Sequence, residues 1–115
     1  MSEPFLLWHA DDYGMTPAQD ARIDDCWRSG CLNSVSIVPN GDLAGAVERL
    51  RNAPVRLAVH LNLVEGVALS PAADIPLLAA PDGHFRNSFG GLLALSVSPQ
   101  RKAFATQLAI ELRRQ

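Results

Sequence analysis

Two adjacent carboxylates and one distant imidazole are the groups in this sequence most able to do chemistry. Asp11 and Asp12 stand side by side in His9-Ala10-Asp11-Asp12-Tyr13-Gly14. Adjacent aspartates repel, and each loses solvation if buried, so a cation or a proton-transfer task best compensates them. His60 closes a largely apolar run, Val55-Arg56-Leu57-Ala58-Val59. An aspartate pair often does no more than cap a turn. A lone histidine in an apolar strand is more often a satisfied core residue than a ligand. Taken together, one carboxylate and one imidazole at neighbouring strand ends make two of the three protein ligands of a catalytic zinc site. Asp12 and His60 would hold the metal, and Asp11 would take a proton from the water it activates. A third ligand is not evident. His9 lies in the same strand, where it is expected to point away from the metal, and His84 reads as a surface loop residue. Asn40, Asn62 and Glu65 follow strand ends, where they either bind hydroxyls of a polar substrate or satisfy loop backbone.

The elements that must position these groups are legible from pattern. Phe5-Leu6-Leu7-Trp8 is apolar on both alternating faces and reads as a buried strand over residues 5–10. Thr16 and Pro17 are a good helix start, which predicts a helix over 17–29 stopped by Gly30. Ile23, Cys26 and Trp27 would form its buried stripe. Val35 and Ile37 alternate with serines, so 33–38 reads as a strand. Asp42 is expected to cap a helix over 43–52 with Leu43, Val47 and Leu50 inward. A third strand follows over 56–61. This β-α-β-α-β order predicts an α/β fold with a parallel sheet. Its C-terminal edge, where such folds place their chemistry, would bring the Asp pair and His60 together. From 62 to 95 the regularity fails, and a loop that long in a small domain is usually functional or poorly ordered. Residues 81–84 read as a turn. A last helix is expected over 99–114, with Phe104, Ala105, Leu108, Ala109 and Leu112 as its apolar face.

Composition narrows the classes. At 115 residues and 48% hydrophobic, the chain is one small domain with a modest core. Lys+Arg 10 against Asp+Glu 12 leaves a net charge of −2 and no basic stripe, so nucleic acid is not an expected partner. No apolar run approaches the roughly 20 residues of a membrane span. Met1-Ser2-Glu3-Pro4 lacks the features of a signal peptide, which makes a cytoplasmic location the expectation. Cys26 and Cys31 have neither metal-knuckle nor redox-pair spacing and read as free thiols packed in or beside a helix.

Three motifs resemble those of one family. His9-Ala10-Asp11-Asp12-Tyr13-Gly14 is similar to the N-A-D-D-F-G opening of the YdjC-like carbohydrate deacetylases. Residues 33–41, Asn33-Ser34-Val35-Ser36-Ile37-Val38-Pro39-Asn40-Gly41, resemble that family's T-S-x-S-x-M-x-N-G segment. Val59-His60-Leu61-Asn62-Leu63-Val64-Glu65-Gly66 resembles its V-H-L-N-L-T-E-G. The resemblance implies parallel β/α units forming part of an irregular β/α barrel of the glycoside hydrolase/deacetylase type. It implies metal-dependent deacetylation of N-acetylated sugars, such as chitooligosaccharides or an acetylglucosaminyl lipid, with Mg or Zn as the divalent metal. Asp11 is then the implied base, and Asp12 and His60 the implied ligands. His9, Asn33, Val38 and Pro39 depart from the family pattern. The family's third ligand is a histidine on the next strand, and the chain stops at Gln115 before that segment would come. The 115 residues are therefore expected to be the N-terminal part of a longer deacetylase domain. An open sheet edge is expected with this, and so is a homo-oligomer. The competing reading is a catalytically incomplete sugar-binding or assembly module of the same fold. A receiver-type signalling module is set aside, because the third strand ends in His60 and the only lysine, Lys102, lies in a helix.

Overall fold

The short run Ser34-Val35-Ser36-Ile37 alternates small polar and β-branched residues, and it forms the middle strand of the sheet. In the computed structural model, which describes residues 5–115, this strand, β2 (Ser34–Ile37), lies between β1 (His9–Tyr13) and β3 (Arg56–Val59). Both pairings are parallel, with α1 (Pro17–Arg28) and α2 (Ala46–Leu50) as the crossovers. The expected β-α-β-α-β order is present, and β1 and β3 are the edges of the sheet. These elements form one of two compact units, which ends at His60; the other runs from Leu61 to Gln115.

One face of the sheet is apolar. Tyr13 and Val35 on that face form a buried core with Ile23 of α1 and Ala46 and Leu50 of α2, and Ala10, Ile37 and Leu43 pack against it. Burying a side chain such as Val35, which is 0% exposed, contributes about 1.5–3 kcal/mol. Alternation turns His9, Asp11, Ser34 and Ser36 to the opposite face, where they are hydrogen-bonded to one another.

Several sequence expectations need correction in this unit. Phe5-Leu6-Leu7-Trp8 is not a buried strand: it has no regular structure, and its exposure runs from 49% at Leu7 to 65% at Leu6. Asn33 replaces the missing ladder, accepting the Trp8 N–H at 2.8 Å and donating to the Leu6 carbonyl at 2.9 Å. The strand begins at His9 instead, so the Asp pair lies within it rather than after it. The inner face of α1 is Asp20, Ile23 and Asp24, with Trp27 half-buried. Cys26 and Cys31 are free, as expected, but both are exposed. The helix keeps two carboxylates inward because each finds a cation or donors there. Asp42 does not cap α2. Its carboxylate accepts the Ala44 N–H at 3.0 Å in a local turn, which delays the helix to Ala46. Val47 is consequently exposed, while Ala46 and Leu50 face the core.

The second unit contains α3 (Phe89–Val97) and α4 (Arg101–Arg114). The first of these overlaps the region read as irregular. Ser88 caps it by accepting the Gly91 N–H at 3.2 Å. Gly90 and Gly91 fall in its first turn, so they look like loop punctuation in the sequence without interrupting the helix. Phe104 on α4 joins Ile75, Leu78 and Ala79 in a small core. Ala105 is exposed, while Ala109 and Leu112 are half-buried. The turn at 81–84 is present, with Gly83 at φ +88° and its N–H bonded to the Ala80 carbonyl at 2.8 Å. Among the described residues, no helix is long and apolar enough to cross a membrane.

Glu111, on the inner face of α4, is fully buried. Its two oxygens accept the N–H groups of Leu69 at 3.0 Å and Ser70 at 2.9 Å, and Gln115 Nε2 donates to it at 2.9 Å. Burial pushes its acidity down, but these bonds outweigh burial and hold the carboxyl below its ordinary range. A folded pKa below the unfolded one stabilises the fold above the unfolded value of 4.5 and loses that stabilisation as pH falls through the folded pKa. Thermal unfolding followed from pH 7 downward should therefore show part of the acid sensitivity vanish in Glu111→Gln. Glu111→Ala, which leaves the buried Ser70 amide and the part-buried Leu69 amide without an acceptor, should cost about 1–3 kcal/mol at pH 7.

Candidate active site

In a regular strand, neighbouring side chains point to opposite faces. Asp11 and Asp12 do not. The partner of Ala10 is Val35 and that of Tyr13 is Ile37, so β1 advances from 10 to 13 while β2 advances from 35 to 37. The extra residue is a bulge. Asp12 absorbs it with φ +67°, the only positive φ at a non-glycine among the described residues. Two consequences follow. Tyr13 returns to the apolar face and is fully buried. Both carboxylates meet the same imidazole, with Asp12 Oδ1 3.3 Å and Asp11 Oδ1 3.7 Å from His60 Nδ1. His60 is held by its own N–H, which donates to the Ile37 carbonyl at 2.8 Å directly after β3.

Serine side chains of β2 tie the group together. The Ser36 hydroxyl donates to Asp11 Oδ1 at 3.0 Å and lies 3.3 Å from His60 Nδ1. His9 does not point away from the group. Its Nε2 is 3.2 Å from Asp11 Oδ1 and its Nδ1 is 2.7 Å from Ser34 Oγ. The roles of His9, Ser34 and Ser36 were missed in the sequence, although the signal was there. Serines alternating with β-branched residues in a central strand mark a second, polar face.

Two loops lock the bulge from its far side. Gly14 has φ +99°, and a Cβ there would meet Leu43 at 2.8 Å. Its carbonyl accepts the Asp42 N–H at 2.8 Å. This approach requires Gly41, where any Cβ would collide with the Gly14 carbonyl. The first two sequence motifs are thus physically interlocked at their glycines.

The other predicted residues are placed as follows. Asn40 is half-buried and follows β2 in the same unit. Asn62 and Glu65 belong to the second unit. The Asn62 carboxamide accepts the N–H groups of Val64 and Glu65, both at 3.1 Å, and donates to the Glu65 carbonyl at 2.8 Å. Asn62 therefore folds the loop that carries Glu65, whose side chain is exposed. His84 is exposed, 3.5 Å from Asp82, as expected of a surface loop.

Two donors bound to one ion at roughly 2.0–2.2 Å stand about 3.0–3.5 Å apart. The 3.3 Å between Asp12 Oδ1 and His60 Nδ1 fits that spacing. Among the described residues, no set of three or more His, Cys, Asp or Glu side chains is arranged to hold a metal ion. The pair therefore has a spacing that suits two ligands of one ion.

Residues 5–115 match the family model described as YdjC-like protein. The chain belongs to the YdjC-like family. Relatives of this YdjC-like chain include a carbohydrate deacetylase of Mus musculus, 35% identical over 79% of this chain and 30% of that protein. A carbohydrate deacetylase of Homo sapiens is 34% identical over 74% of this chain and 27% of its own length. The chain thus spans about a third or less of these two relatives. Among solved structures, a protein of Enterococcus faecalis V583 provisionally described as a cellobiose-phosphate cleavage protein matches with a TM-score of 0.64. The match covers 92% of this chain and 42% of that one at 23% identity, which establishes a shared fold.

Left-handed backbone at Asp12 is strained, by about 1–3 kcal/mol for such conformations in general. Asp12→Gly should therefore raise the urea unfolding midpoint although it deletes a carboxylate facing His60. Asp12→Val, β-branched and ill-suited to positive φ, should lower it, the two differing by about 1–2 kcal/mol.

Proposed function

We propose that this chain is part of a longer deacetylase domain that removes acetyl groups from N-acetylated sugars with the help of a divalent metal, Mg or Zn. The observation that carries this reading is the convergence of two neighbouring carboxylates on one His60 nitrogen. The family membership and the relatives named carbohydrate deacetylase support it. The TM-score of 0.64 supports the shared architecture, which we read as a segment of an irregular β/α barrel.

Deacetylation adds water across the amide C–N bond, releasing acetate and leaving an amine on the sugar. Asp12 and His60 would hold the metal, which when bound supplies Lewis acidity for the acetyl carbonyl and the attacking water. Asp11 serves as base and takes the proton of that water. Its side chain is 65% exposed, so water and substrate can reach it. Ser36 and His9 engage its Oδ1 and orient the carboxylate for the transfer. Asn40 and Glu65 are the proposed hydroxyl-binding groups. Asn62 takes part through the loop backbone that it folds.

The separate roles of the two aspartates test the reading. Zinc titration of the chain by calorimetry should show affinity falling in Asp12→Ala and His60→Ala and unchanged in Asp11→Asn. In the full-length protein, Asp11→Asn should abolish turnover. Wild-type turnover in that variant would remove Asp11 from the base role. Zinc binding unaffected by either ligand substitution would favour the catalytically incomplete sugar-binding or assembly module.

The exposed edge strand β3, with Leu57 at 52% and Val59 at 60% exposure, supports self-association of this chain as a homo-oligomer. Sedimentation at high micromolar concentration should show a dimer or larger species; a monodisperse monomer would count against it.

A further inference from the structure

The face of α1 turned toward the bulge carries two carboxylates that the reaction does not use. Asp20 is 4% and Asp24 3% exposed. Buried carboxylates are costly unless cations and hydrogen-bond donors surround them, so their retained positions call for a reason. Asp20 Oδ1 accepts the Gly14 N–H at 2.7 Å, a short charge-assisted bond to the second residue after Asp12. Its other oxygen lies 3.6 Å from Arg49 Nη2. The same guanidinium donates from Nε to the Tyr13 hydroxyl at 2.7 Å and lies 3.3 Å from Asp24 Oδ2. The Tyr13 hydroxyl in turn donates to Asp24 Oδ1 at 3.1 Å, and Trp27 Nε1 donates to the same oxygen at 3.0 Å.

The two residues that follow Asp12 are therefore both anchored. Tyr13 is held through its side chain and Gly14 through its backbone. On the other side, Ala10 is fixed by its pairing with Val35. Strained backbone persists only where its surroundings over-determine it. Ladder pairing on one side and the Asp20–Arg49–Asp24 group on the other supply that constraint at Asp12. Arg49, which lies on α2, links that helix to α1 through Asp20 and Asp24 and to β1 through the Tyr13 hydroxyl.

We propose that Asp20 is the positioning residue of the site: its carboxylate holds the Gly14 amide and thereby keeps Asp12 in the left-handed conformation that brings its carboxylate to His60 beside that of Asp11. The consequence for metal binding rests on the function proposed above; the backbone consequence stands apart from it.

The test uses the isotope-labelled 115-residue chain, read by NMR and by zinc calorimetry. In the wild type, the Gly14 amide proton should resonate far downfield and be protected from exchange, and the Asp12 couplings should report positive φ. Asp20→Ala should lose the downfield resonance and the positive φ and weaken zinc binding by about tenfold or more. Asp20→Asn, which keeps an acceptor for Gly14, should retain the positive φ and recover most of the zinc affinity. Its Gly14 resonance should move upfield because the acceptor is neutral. A Gly14 amide that exchanges freely in the wild type overturns the proposal. So does Asp20→Ala with the Gly14 resonance and the Asp12 φ unchanged. If Asp20→Ala does not fold, wild-type exchange and the Asp20→Asn shift decide, and a Gly14 resonance indifferent to Asn overturns it. If zinc binds none of these proteins while φ and the amide respond as described, the metal reading fails and the positioning role holds.

Discussion

A strand presents alternate residues to alternate faces, and two neighbouring aspartates cannot serve one imidazole under that rule. The extra residue in β1 between the Ala10 and Tyr13 pairings lifts the rule at one place. It does so at the cost of a left-handed aspartate. The rest of the first unit is arranged about that residue. The bulge lets Tyr13 enter the apolar face beside Val35 and Ile23, and the core in turn holds the bulge in phase. Gly14 and Gly41 allow the loops after β1 and β2 to come within hydrogen-bonding reach. A side chain at either glycine would part the loops and release the Asp12 backbone.

The two units solve the problem of buried carboxylates differently. In the first, Asp20 and Asp24 share the Arg49 guanidinium, a planar group whose several donors can face more than one acceptor at once. In the second, Glu111 is satisfied by backbone amides and Gln115. A shared cation faces the first pair, whereas hydrogen bonds hold the Glu111 pKa down against its burial. Both arrangements order irregular backbone: the turn at Gly14 in one case and the chain at Leu69 and Ser70 in the other. Carboxylates facing inward explain why α1 lacks the apolar stripe that simple periodicity suggests, whereas α4 keeps Phe104 and Leu108 in its core beside Glu111.

Much of the fold was legible in the residues. Alternating serine and β-branched residues marked β2, Thr16 and Pro17 marked the start of α1, and the order of elements implied a parallel sheet. Asp11, Asp12 and His60 were legible as one group because strand ends in a parallel sheet share an edge. Other features were hidden for definite reasons. Phe5-Leu6-Leu7-Trp8 has strand-like composition, but the Asn33 side chain replaces the ladder it would need. The glycines at the start of α3 imitate a loop. His9 looked misdirected because its partner is two residues along the same strand, on the same face.

The sequence by itself determined which groups are available, in what order, and on which kind of element. Composition, alternation and helix-start residues act locally, and local rules are written in neighbouring residues. Tertiary structure decided where those groups point. The phase of β1 depends on its pairing with β2, across a sequence separation of 25 from His9 to Ser34. The left-handed turn at Asp12 depends on Asp20, Arg49 and Asp42, which come together only when helix and loops pack on the sheet. No local rule predicts a bulge there, because its strain is compensated by contacts distant in sequence.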